Sequence, residues 1–259
     1  MTDTDSELVH LDIVTGVATI TFDSPSNRNA LSAQLRRELL GHLEQCAHDD
    51  AVRVVVLTHT GKVFCSGMDL TESRGAGASD QGVNEFPHIL QTIWQHPKPV
   101  IARVAGPARA GGIGMIAACD IAVAGACATF GFSEVRIGVV PAVISVTVLP
   151  RISPRAAQEL FLTGEVFDAA RAAEIGLLTA AVPDADLDAA VAGYVSSLAK
   201  GGPQALAATK AMLTAKDHDL EARLADKTAL SASFFASAEA QEGIQAFAEK
   251  RSAAWVPAR

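Results

Sequence analysis

Val54-Val55-Val56-Leu57-Thr58 is the stretch that most narrows the folds open to this chain. An apolar, β-branched run with no polar alternation suits a strand covered on both faces, as in a parallel sheet flanked by helices. Its neighbours follow the same logic. Val17-Ala18-Thr19-Ile20-Thr21-Phe22 reads as a strand ended by the turn formers of 23–27, and Leu31, Leu35, Leu39, Leu43 and Ala47 then recur at helical spacing behind Ser32, a candidate N-cap. Downstream, the pattern predicts a helix over 89–94, a strand over 100–104, a helix from about Gly112 and a strand over 121–123. Such alternation implies an α/β core built with crossover connections.

The second half turns helical. Ser153-Pro154 and Gly164 bracket one helix, 168–176 holds a shorter one, and an alanine-rich helix runs towards Lys200 before Gly201-Gly202-Pro203 breaks it. The remainder reads as amphipathic helices that cannot enclose a core of their own, so they should pack on the main domain or on another subunit.

Composition removes several function classes. With 49% hydrophobic and 19% charged residues the 259-residue chain is globular, and its net charge of −8 disfavours nucleic acid as a partner. Cys46, Cys65, Cys119 and Cys127 lack zinc spacing and read as buried thiols. The acidic start, Met1-Thr2-Asp3-Thr4-Asp5, does not resemble a targeting peptide, and no apolar run is long enough for a bilayer, so a cytoplasmic protein without a membrane partner is expected.

Two strand-to-turn junctions carry the chemistry: Phe64-Cys65-Ser66-Gly67-Met68-Asp69-Leu70 and Ala110-Gly111-Gly112. A helix that opens at a glycine turn presents unpaired N–H groups and the positive end of its dipole, which suits developing negative charge. Two such turns, the stretches Lys98 to Asp120 and Phe130 to Pro141, Asn29-Ala30-Leu31, Leu162-Thr163-Gly164 and Phe247-Ala248-Glu249-Lys250-Arg251 occur in an order that resembles the crotonase, or enoyl-CoA hydratase/isomerase, superfamily along almost the whole chain.

That resemblance implies a repeated ββα spiral core with the acyl-CoA site over residues 1–200, and a C-terminal helical trimerisation region over 201–259. It also implies a homotrimer or a dimer of trimers, and an acyl-CoA substrate with no separate cofactor and no metal. By position in the motif, the backbone N–H groups of Ser66 and Gly111 would hold the thioester oxygen, with Gly67, Met68 and Asp69 lining the ligand. Phe247 and Lys250 match residues that meet the nucleotide end of CoA, and Glu134 matches one of the two glutamates of family hydratases.

The other glutamate aligns with Gly114, which has no side chain. One acid can still serve water addition to a 2-enoyl-CoA, the first reading. The alternatives are a double-bond isomerase, a hydrolase or carbon–carbon lyase, and a non-catalytic acyl-CoA-binding protein. Glu72 and Asp80 are candidate substitutes for the missing acid. Asp120 is read as structural, Arg109 as a surface charge or a partner for a substrate carboxylate, and Cys65 as no nucleophile. Glu134 could instead be an exposed turn acid paired with Arg136. The segment 71–80, rich in small residues, is a candidate cover, and the apolar bulk of Val139, Val140, Val143 and Ile144 would reshape the acyl pocket.

Overall fold

A computed structural model describes residues 6–69, 72, 85–214 and 220–254. Strands β1 (Val9–Val14), β2 (Val17–Phe22), β3 (Val54–His59) and β4 (Val100–Val104) join β6 (Ile121–Gly125) and β9 (Ala180–Val182) in one sheet of order β1-β2-β3-β4-β6-β9. β1 and β2 form an antiparallel hairpin, and every later pairing is parallel. All six residues of β3 are buried, as its unbroken apolar run predicts. A second small sheet has the order β5 (Ala108–Arg109), β7 (Thr129–Gly131), β8 (Val166–Asp168).

Helix α1 (Ala33–His48) begins where Ser32 Oγ accepts the Leu35 N–H at 3.3 Å, and it buries Leu35, Leu39 and Leu43. Helices α2 (Phe86–Trp94), α3 (Gly111–Ala118) and α4 (Ala142–Val148) pack against one another on the same side of the large sheet. Every residue of α3 is buried, so it is a core helix without a polar face. α5 (Pro154–Thr163) ends at Gly164 in the left-handed region, and α6 (Ala169–Glu174) is capped by Asp168, whose carboxylate accepts the Arg171 N–H at 2.8 Å. α7 (Leu187–Ala199) covers the other face of the sheet.

The tail consists of α8 (Pro203–Thr214), α9 (Leu220–Phe235) and α10 (Ala238–Ala248). It packs on the core of its own chain: α9 lies against α4 and α2, and α10 against the 3-10 turn Ser133–Ile137. Asp120 fastens α8 to the sheet, with Oδ2 accepting the Val100 N–H at 2.8 Å and Lys210 Nζ at 2.7 Å. This is the structural role expected for Asp120. Among the described residues no helix is long and apolar enough to cross a membrane.

Candidate active site

The two glycine turns meet. A Cβ on Gly67, which has φ +95°, would lie 3.0 Å from Ala110 Cβ and 3.8 Å from the Gly111 nitrogen. The space beside Gly111 is already filled, because a Cβ there would stand 2.8 Å from Leu31 Cδ1 and 3.1 Å from Phe86 Cζ. Gly112 is equally constrained by Cys65, whose Cβ would be 2.8 Å away. These glycines let two backbone turns approach more closely than any side chain permits.

Which amides remain free is decided by a third segment. Arg28 and Asn29 are both left-handed, and the buried Asn29 side chain fixes their turn by donating to the carbonyls of Thr60 and Val63. The turn aims the Arg28 carbonyl at the Ser66 N–H, 3.1 Å away, while Leu31 N–H donates to the Gly67 carbonyl at 2.8 Å. Ser66 therefore already spends its amide proton within the fold, which corrects its expected role as an oxyanion donor. The Gly67 N–H faces Cys65 Sγ at 3.4 Å. No described residue accepts from the N–H of Met68 or of Gly111, the latter at the uncapped start of α3. Ala110, just before, is held at φ +46° and ψ −117°, a strained conformation for a residue with a Cβ.

The acid is brought in by the small sheet. Arg109 pairs with Gly131 in register, and Ala110 N–H donates to the Gly131 carbonyl at 3.4 Å, so the chain leaving β7 starts beside the Gly111 turn. Glu134 follows three residues later in the 3-10 turn. Arg136 faces away from it and donates to the Gly164 carbonyl at 3.1 Å and Glu165 at 2.6 Å, which removes the Glu134–Arg136 pairing. Glu134 Oε2 is sealed from solvent with no hydrogen-bond partner, and burial pushes the carboxyl pKa up from 4.5 to about 7, opposed only by its own backbone N–H. The residue as a whole is only partly buried, so the exclusion of water is specific to its carboxyl end.

Gly114 lies within α3, where a Cβ would meet Ile144 Cγ2 at 2.7 Å and Leu90 Cδ2 at 3.5 Å. The space that a side chain at 114 would need is thus occupied by hydrocarbon. Glu72 does not replace it: its carboxylate accepts the Ala33 N–H at 3.0 Å at the start of α1, 3.8 Å from Arg36. Asp80, and the proposed cover over 71–80 apart from Glu72, lie outside the described residues.

Arg109 is half-buried and donates to the carbonyls of Ala108 and Thr129 at 2.8 and 2.7 Å and to Thr129 Oγ1 at 3.1 Å, so it clamps β5 to β7 and is not a free surface charge. Cys46, Cys65 and Cys119 are buried as expected, whereas Cys127 is exposed, and burial pushes the Cys65 thiol up to about 12, which leaves no thiolate for nucleophilic attack. Asp69 lies 3.5 Å from Asn27 Nδ2, in keeping with a part in turn geometry. Phe247 and Lys250 are exposed at the end of α10, Lys250 in the left-handed region.

This arrangement has counterparts among known proteins. The sequence profile of the Enoyl-CoA hydratase/isomerase family matches residues 12–257. A protein named probable enoyl-CoA hydratase from Rhodobacter capsulatus is 36% identical, with 94% of this chain and 95% of the relative covered. The crystal structure of an enoyl-CoA hydratase from Mycobacterium avium is 44% identical and superimposes with a TM-score of 0.87, covering 98% of this chain and all of that one. The chain belongs to the enoyl-CoA hydratase/isomerase family of the crotonase superfamily.

Proposed function

We propose that this enzyme adds water to a 2-enoyl-CoA, with the thioester oxygen held by the N–H groups of Met68 and Gly111 and all proton transfer carried by Glu134. As the oxygen of water attacks C3, one of its protons passes to the Glu134 carboxylate. The C2=C3 electron pair moves onto the thioester oxygen, and the enolate then collapses as Glu134 returns that proton to C2. The net change is addition of H and OH across one double bond. One oxyanion donor contributes roughly 3–4 kcal/mol, about 10²–10³ in rate, so two amides carry most of the charge stabilisation.

The observation that carries this reading is the Glu134 carboxyl, with Oε2 unpartnered and its pKa raised to about 7, in the 3-10 turn that follows the strand abutting the Gly111 turn. An acid with a pKa near the working pH both accepts and returns a proton readily. Phe247 and Lys250 are placed at the nucleotide end of CoA, a lysine offering phosphate a point charge. The assembly is taken as a trimer or a pair of trimers, which would cover exposed apolar side chains such as Leu162, Val166, Met212 and Leu213.

A second reading is favoured by Ile144 and Leu90 standing where another acid would flank the water. Glu134 would then take a proton from C2 of a 3-enoyl-CoA and return it at C4, an isomerisation that needs no water. Both are tested by incubating the protein with 2-enoyl- and 3-enoyl-CoA, following the conjugated-enoyl absorbance and free thiol and identifying products. Loss of the 2-enoyl absorbance to a 3-hydroxyacyl product, abolished in Glu134→Gln with thioester binding intact, is expected. An unimpaired Glu134→Gln would remove the acid from the reaction, and release of thiol would make the enzyme a hydrolase.

A further inference from the structure

The contact over Gly114 cannot be relieved by a small side-chain swing. Ile144 Cβ itself would lie 3.1 Å from a Cβ at 114, and a β-branched side chain in a helix has essentially one χ1 available. α4 is pinned at the same spot, because Thr147, one turn beyond Ile144, donates its hydroxyl to the Gly114 carbonyl at 3.0 Å. Leu90 closes the other side from α2, and all three side chains are buried. Gly114 is therefore a notch in α3 into which one face of α4 is seated.

We propose that Ile144 is the residue that holds this site to a single acid: it fills the volume that a side chain at 114 requires, so no second carboxyl can stand there and proton transfer falls to Glu134 alone. The proposal rests on the enolate chemistry above and assigns its one-acid character to a packing contact. With one acid, the proton that Glu134 removes is the proton it returns. A carboxylic acid at 114 would instead divide the work, one acid taking the proton from water and the other supplying a proton to C2, and solvent would reset the pair.

The test is a set of full-length variants: Gly114→Ala and Gly114→Glu, each alone and combined with Ile144→Ala. Thermal midpoint and rate of 2-enoyl-CoA hydration are read for each. Gly114→Ala alone should lower the midpoint by roughly 3–10 °C through overpacking, and the same change should cost clearly less once Ile144→Ala removes the Cγ2 at 2.7 Å and leaves only the Cβ at 3.1 Å. Gly114→Glu/Ile144→Ala should hydrate on the order of 10²-fold faster than Ile144→Ala. If Gly114→Ala costs the same in both backgrounds, Ile144 does not fill that space and the proposal falls. It falls as well if the coupling is present, the wild type is active, and the added acid brings no gain in hydration. If the coupling is intact but no variant, wild type included, turns over any enoyl thioester, the reaction proposed above is wrong while the occupancy by Ile144 stands.

Discussion

Replacing Glu134 with glutamine should make the free protein progressively more stable, relative to wild type, as pH rises. The Glu134 carboxyl pKa is about 7 in the folded chain against 4.5 for an unburied glutamate, so folding favours its protonated form. A raised folded pKa gives stability that is fully present below about pH 4.5 and is lost as pH rises through 7. At about 1.4 kcal/mol per pH unit the full loss is about 3.4 kcal/mol. About 1.4 kcal/mol of it has gone by pH 5.5 and about 3.3 kcal/mol by pH 8, so the gap between variant and wild type widens by about 2 kcal/mol. For a chain of this length that is roughly 4–8 °C in thermal midpoint. Calorimetric melting of both proteins at the two pH values, without ligand, reads the difference. Any pH-independent cost of the glutamine amide cancels, as do the titrations both proteins share. A gap that stays constant or closes would show that Glu134 is not buried as an unpaired acid, and the assignment of Glu134 as the proton carrier would lose its basis.

Three further outcomes are expected. Gly243→Ala puts a Cβ into the Ile137 carbonyl, so α10 must back away from the 3-10 turn; kcat should fall at least about tenfold, as misplacement of a catalytic group does, with KM changed less. Lys210→Met leaves Asp120 and the carbonyls of Ile93 and Lys98 without their cation and should destabilise by about 3 kcal/mol in denaturant titrations, with less than additive loss when Asp120→Asn is combined with it. Ala110→Gly relieves the strained backbone before Gly111 and should raise the thermal midpoint by a few degrees, corresponding to about 1 kcal/mol.

Long elements were legible because their patterns are local. The unbroken run of β3, the heptad-like leucines of α1 and the Asp168 cap identify themselves within a dozen residues. β5, β7, β8 and β9, with two or three residues each, have no period to read, and the pairing of β5 with β7 is what sets the Glu134 turn beside the Gly111 turn. The glycine turns announced an oxyanion site, but the free amide in the first turn is settled by the Arg28 carbonyl, 38 positions upstream, so Ser66 was the wrong choice of donor. Adjacency in sequence likewise suggested Glu134 with Arg136, whereas the tight 3-10 turn sends Arg136 to Gly164 and Glu165. That position 114 carries no side chain was plain in the sequence. That Ile144 had taken its volume was not, although the apolar character of that stretch was the available signal.

The acid's turn is held by segments far apart in the chain, and this explains how an unpaired carboxyl survives inside the fold. Phe132, just before it, stacks on Phe161 with centroids 4.3 Å apart, and Arg136 ties its far end to the Gly164 carbonyl. Gly138 ends it in the left-handed region, where a Cβ would lie 2.9 Å from the Glu239 backbone, and Val139 packs with Phe235 and Ala240 of the tail. Glu134 gains no hydrogen bond from any of these contacts. They pack around the turn that carries it, and with Oε2 sealed from solvent its pKa is raised by desolvation against the opposing pull of its own backbone N–H, with no neighbouring charge contributing. A charged partner would have fixed one protonation state, whereas desolvation leaves both within about RT of each other near pH 7. Packing of the helical tail on the core is therefore part of what sets the Glu134 pKa, and, with Glu134 as the proposed proton carrier, loosening that contact should return it towards an ordinary glutamate, lowering the pH at which kcat/KM rises and weakening proton return at neutral pH.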